Sequence, residues 1–188
     1  MPPDSLLRPD CRIVIGGVGL IGGSLGLRLK SLSPAPRVIA FGRSESTLAR
    51  ARERGAIDEY FLDPAAAVKG ADLVVLAPPV LTIPDLMERI GPHLAPHAVV
   101  TDAGSSKAWI TAEAAKRLPT GIRFVGSHPM AGSEKSGIDH ANAALFEQAV
   151  VVMTPSPSSD EEAMLLVREL WEKTGALVLT LSPEIHDR

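Results

Sequence analysis

Cysteine is almost absent from this chain of 188 residues. Cys11 stands alone, so neither a disulfide framework nor a cysteine metal site can form within one copy. Aromatic residues make up only 4%, which leaves cores to be built from Val, Leu, Ile and Ala. No apolar run reaches the roughly 18 residues that a bilayer-spanning helix requires. An excess of one charge is also missing: 19 Lys and Arg against 22 Asp and Glu give a net charge of -3. That balance, with no basic helix face, supplies no electrostatic footprint for nucleic acid. The opening MPPDSLLRPD has no basic region followed by an apolar stretch and does not read as a secretory signal. The expectation is therefore a cytoplasmic protein with no membrane, nucleic-acid or metal partner.

Glycine and proline are present instead, 16 of each, punctuating short apolar runs. Residues 12–16 (RIVIG) form the first run, short and β-branched as in a buried parallel strand. A helix is expected over 20–32, with Leu25, Leu29 and Leu32 at three- and four-residue steps, stopped by Pro34 and Pro36. The alternation continues with strands at 38–41, 60–62, 73–76, 98–101, from 124, at 149–153 and at 176–180. Helices are expected at 44–54, from Pro64, at 84–90, 107–117 and up to Lys173. Asp63 before Pro64 reads as an N-cap with proline at the first helical position, and Ser159 with Glu162 as a capping box. Strands and helices alternating this regularly imply a single α/β domain, a doubly wound, mostly parallel sheet of Rossmann type. Residues 1–10 read as an N-terminal extension, and 11–182 as the dinucleotide-binding domain.

Gly17-Val18-Gly19-Leu20-Ile21-Gly22 is G-x-G-x-x-G. Alone it is weak evidence. Here it leaves a strand and opens a helix, the context in which glycines permit a tight turn, close approach of a pyrophosphate and helix–strand packing. The amide groups and positive dipole end of that helix then face the phosphates. An NAD site usually has a carboxylate about 20 residues on. This chain has Phe41-Gly42-Arg43-Ser44 there, and Arg43 with Ser44 suits a 2′-phosphate. NADP is accordingly expected ahead of NAD. The plainer alternative makes Arg43 a solvated charge and Ser44 only an N-cap, and Glu45 is a signal against NADP. The rigid turn Ala77-Pro78-Pro79 ends another strand and is expected to border the cofactor, although a purely structural turn has the same sequence.

Two further strand ends carry reactive groups: DAGSSK at 102–107 and GSHPMAGSEKSG at 126–137. In a doubly wound sheet both reach one crevice. Oxidation of a carbinol needs an acceptor for the hydroxyl proton, and histidine suits that near neutral pH. Of the five histidines, His93 and His97 flank Pro96 in a loop and His140 lies in a polar loop. His128 sits at a strand end among small residues. On spacing alone it stays open between a base and a structural histidine.

The segments GGVGLIGGSL, DAGSSK and SHPMAGSEKSG resemble the prephenate/arogenate dehydrogenase family of tyrosine biosynthesis, over essentially the whole chain. The resemblance implies His128 as hydrogen-bond acceptor and base at the ring hydroxyl of the substrate. It implies Ser105 as the residue that orients His128 and touches substrate, with Ser133 and Glu134 bordering the entrance. It further implies oxidative decarboxylation with hydride transfer to NAD(P). Family members carry a following helical domain that pairs subunits into a homodimer and supplies a basic group for a substrate carboxylate. Residues 183–188 resemble its opening, so the chain is expected to be shortened and to turn over poorly on its own. Lys107, Arg123 and Lys135 are offered as a weak positive field, each expected to be solvated. Two other readings compete: a β-hydroxyacid-type dehydrogenase, which gives SHPMAGSEKSG no role, and a non-catalytic NAD(P)-binding module, which gives His128 none.

Overall fold

A computed structural model describes residues 10–132 and 134–188. The extension expected over 1–10 falls, apart from Asp10, outside the described residues. Strand β1, Arg12–Gly16, is the apolar run read from the sequence, and all but its first residue are buried. It lies centrally in an eight-stranded sheet of order β3-β2-β1-β4-β5-β6-β7-β8. The other strands are β2 (Arg37–Phe41), β3 (Glu59–Phe61), β4 (Leu73–Leu76), β5 (Val99–Asp102), β6 (Arg123–Pro129), β7 (Val150–Pro155) and β8 (Leu177–Thr180).

One face of the sheet is covered by helices α1 (Leu20–Lys30), α2 (Glu45–Glu53) and α6 (Glu161–Lys173). Leu25, Leu29, Leu48, Val167 and Trp171 pack there on Ile13, Ile15, Val75 and Val125. The other face carries α3 (Pro64–Ala67), α4 (Ile83–Ile90) and α5 (Lys107–Arg117). Ala67, Met87, Ile90 and Ile110 pack there on Val14, Val74, Val100 and Phe124. Burial on both faces explains why the central strands are continuously apolar rather than alternating.

Two local expectations need correction. The sheet is parallel except between β6 and β7, which run antiparallel, with His128 opposite Val152. That pairing extends β6 through Ser127, His128 and Pro129, where the sequence read only a Gly- and Ser-rich stretch. Small polar residues have little strand propensity, and it is the partner strand that holds them extended. The cap of α6 is Asp160, whose carboxylate accepts from the Ala163 amide at 2.7 Å. Ser159 instead donates its hydroxyl to Phe124 O, tying the serine-rich turn to β6. A short helix α7, Pro183–His186, follows β8 and packs on α5 and β7. Val178 of β8 packs with the α6 side, so Leu177 and Leu179 point the other way, 60% and 52% exposed.

Candidate active site

Because β1, β4, β5 and β6 are parallel, their carboxyl ends share one edge of the sheet, and the functional segments start from that edge. Gly17 takes φ +89 there, a left-handed conformation open to glycine and costly for other residues. Its amide donates to Phe41 O at 2.9 Å, which locks the turn to β2. A Cβ added to Gly22 would stand 2.0 Å from the carbonyl oxygen of Gly17, so helix α1 approaches its own strand more closely than any side chain permits. At Gly19 the same construction meets nothing within 4 Å. That residue is the N-cap of α1, with no side-chain cap and no acidic residue in the first turn. The amides of Leu20, Ile21 and Gly22 therefore open the helix with its positive end uncovered.

A cleft of about 440 Å³ begins at this turn. Gly17, Gly19, Arg43, Ser44 and the turn Ala77 to Pro79 all line it. Leu20, Ile21 and Gly22 stand behind, in the first helical turn. The open space at Gly19, the uncapped amides and the exposed Arg43 fit a dinucleotide diphosphate and the adjoining ribose. Ser44 also serves as the N-cap of α2, accepting from the Thr47 amide at 3.2 Å.

Further along the edge, β5 ends in Asp102, which is fully buried together with Lys107. The Lys107 ammonium pairs with the Asp102 carboxylate and donates to Ser127 O at 2.8 Å. The same carboxylate accepts from the amides of Gly104 at 2.8 Å and Ser127 at 3.2 Å. Lys107 was expected to be solvated. It is an internal strut, and its burial pushes the ammonium below the ordinary lysine value, with Asp102 opposing the shift. Arg123 cannot supply field at this edge either. It begins β6 at the other edge of the sheet and pairs with Glu162 at 2.8 Å. Lys135 is exposed.

Ser105 is exposed in the turn after β5, and Glu134 is exposed in the loop after β6. Ser133 lies outside the described residues. His128, near the end of β6, is half-buried. Its Nδ1 lies 2.9 Å from Nε2 of His186 in α7, and Nδ1 of His186 lies 2.7 Å from the Asp187 carboxylate. That carboxylate also accepts from the amides of Lys107 and Ala108, each at 2.9 Å. Sequence reasoning passed over His186 and Asp187. The only signal was a His-Asp pair after the last strand. Ser105 and His128 thus share an edge with the glycine turn but lie outside the cleft it opens. His93, His97 and His140 are exposed elsewhere.

A family model described as prephenate dehydrogenase, nucleotide-binding domain, matches residues 25–180. The chain belongs to the prephenate dehydrogenase family. Prephenate dehydrogenase of Bacillus subtilis is 36% identical over 176 residues, covering 93% of this chain and 47% of that protein. The chain thus spans about half the length of this family member. Among solved structures, prephenate dehydrogenase from Aquifex aeolicus in complex with hydroxyphenyl propionate and NAD+ superposes with a TM-score of 0.88. It is 31% identical, covering 96% of this chain and 63% of that one. Arogenate dehydrogenase of Synechocystis gives a TM-score of 0.87 at 34% identity, covering 94% and 61%. The α/β architecture is thus that of the nucleotide-binding domain in the prephenate dehydrogenase family.

Proposed function

We propose that this chain is the nucleotide-binding part of a dehydrogenase that oxidises and decarboxylates prephenate or arogenate, with NADP preferred over NAD. The observation that carries the reading is the placement of His128 on the sheet edge that also bears the glycine turn Gly17–Gly22. When bound, the nicotinamide supplies the acceptor for hydride from the ring carbon that bears the hydroxyl. The chain's own residues do the rest. Amides at the start of α1 hold the diphosphate, Arg43 with Ser44 grips a 2′-phosphate, and Ala77–Pro79 walls the nicotinamide side. His128 accepts the hydroxyl proton as the carbonyl forms. Ser105, Ser133 and Glu134 border the substrate. The oxidised ring then loses its carboxylate as CO2, and aromatisation drives the sequence forward. Orientation and polarisation are what the protein must contribute.

Among the described residues no group of three or more His, Cys, Asp or Glu could hold a metal, and no helix is long and apolar enough to cross a membrane. The reading places the enzyme in the cytoplasm. It assigns subunit pairing and a cationic grip on a substrate carboxylate to a helical domain whose opening residues 183–188 resemble.

The test is formation of reduced nucleotide by the protein with the helical domain that this reading assigns to it, given prephenate, arogenate or a small β-hydroxyacid, beside fluorescence titration with NADPH and NADH. Turnover is expected with one or both cyclohexadienyl substrates. Nucleotide binding without turnover on any of them, even with the helical domain present, overturns the proposal in favour of a binding module, and turnover confined to the β-hydroxyacid overturns the substrate class. In the same titration, Arg43→Ala is expected to weaken NADPH about 10-fold, the scale of a lost charge-assisted hydrogen bond, and to leave NADH unchanged. Equal loss for both nucleotides removes Arg43 from a 2′-phosphate site.

A further inference from the structure

The proposal for His128 needs one particular tautomer. A histidine that accepts a proton at the ring edge facing substrate must have that nitrogen unprotonated and its proton on the other one. Free neutral imidazole favours the opposite arrangement, with the proton on Nε2. In proteins the choice is set by the partner of the remote nitrogen.

We infer that His186, held by Asp187, is the positioning residue that fixes His128 with its proton on Nδ1 and its lone pair on Nε2; this rests on the reading of His128 as the base. A chain of hydrogen bonds runs inward from helix α5. Asp187 accepts from the first two amides of that helix, Lys107 and Ala108, each at 2.9 Å. Although its partial burial pushes the carboxyl up, those amides and His186 outweigh it and hold Asp187 below the usual carboxylate range. An ionised carboxylate only accepts hydrogen bonds. The His186 nitrogen 2.7 Å away must therefore carry the proton. In the neutral ring that leaves His186 Nε2 as an acceptor, and it faces His128 Nδ1 at 2.9 Å. His128 Nδ1 must then donate, and Nε2 is the nitrogen with a free pair. The His186 side chain is only 7% exposed, which shields it from most competition by water. The rings meet edge to face, with centroids 5.1 Å apart and planes at 66°, which holds the orientation of His128 as well as its tautomer. One proton moves from the substrate hydroxyl to His128 Nε2 as hydride leaves the same carbon for the nicotinamide acceptor, the Nδ1 proton stays in the bond to His186, and no other side chain changes charge.

The test uses three variants, with kcat read in the protein that carries the helical domain and the tautomer read in this chain. His186→Phe fills the space and removes the acceptor, whereas His186→Gln returns an acceptor oxygen at nearly the same reach. His186→Phe is expected to lower kcat between about 10-fold and 10²-fold, within the range of general-base contributions, with KM for the nicotinamide cofactor unchanged and part of kcat restored in His186→Gln. Proton–nitrogen NMR of the imidazoles above their titration range should show His128 protonated on Nδ1 in the parent chain and shifted toward Nε2 in His186→Phe. A role in packing alone moves neither the tautomer nor the difference between the Phe and Gln variants. Wild-type kcat in His186→Phe, or Nε2 protonated in the parent, overturns the inference. His128→Asn separates the two readings: if it too is active the base assignment fails, and if it alone is inactive only the relay fails.

Discussion

His128→Asn should lower the turnover of the complete enzyme, helical domain included, by at least ~10²-fold, as loss of a general base does, and leave the dissociation constants of NADPH and NADH where they were. The second half of that expectation follows from layout. The nucleotide cleft is lined from residues 17–19, 41–48, 62–64 and 77–89, and His128 stands beyond it on β6. Asparagine keeps a small polar side chain on the strand, so the pairing of β6 with β7 should survive. The acid side of the pH profile provides a second readout. Burial pushes the His128 imidazolium below its ordinary value of 6.5, and His186 and Lys107 push the same way, against Asp102 and Asp187. A lowered value means that the ring stays unprotonated to more acid pH. kcat/KM for the cyclohexadienyl substrate should therefore hold level through 6.5 and fall only at lower pH. Near-normal turnover in His128→Asn, measured by nucleotide reduction, ends the case for His128 as base.

Lys107→Met should destabilise the fold by about 3–5 kcal/mol, the cost of breaking a buried ion pair by removing one partner. Methionine fills comparable volume, so the loss is electrostatic. Asp102 would keep the amides of Gly104 and Ser127 but lose the only cation that touches it among the described residues, at full burial. Asp102→Asn combined with Lys107→Met removes both charges and should recover most of the loss, since well-matched neutral replacements of buried pairs are often neutral in effect. Denaturant unfolding of the three proteins measures this directly. A single variant within about 1 kcal/mol of the parent, the upper end for exposed ion pairs, shows that Lys107 is not a strut.

The alternation of elements was legible because burial on both faces makes each strand an unbroken apolar run. Arg12–Gly16 and Leu73–Leu76 could be bounded from residue type alone. The glycine turn was legible for a related reason: positive φ at Gly17 and the 2.0 Å approach at Gly22 are constraints that few residue types satisfy. What stayed hidden depends on partners far away in sequence. Lys107 looks like any helix-opening lysine until Asp102 and the Ser127 carbonyl surround it. The strand character of Ser127–His128–Pro129 is imposed by β7. His186 acquires a role only because α7 folds back over α5, 58 positions along the chain from His128. Ser159 and Asp160 compete for one cap, and the outcome turns on a hydrogen bond to Phe124 in another element.

The reversal at β7 has a consequence for how the molecule divides. Everything that lines the cleft proposed for the nucleotide comes from one uninterrupted stretch of the first four strands and their helices. The paired imidazoles exist only once the backward-running edge has been laid down and the final short helix has been tucked beneath it. On the proposed reading, holding the coenzyme and handling the proton thus belong to opposite flanks of a single sheet, and injury to one flank should silence its task while the other persists.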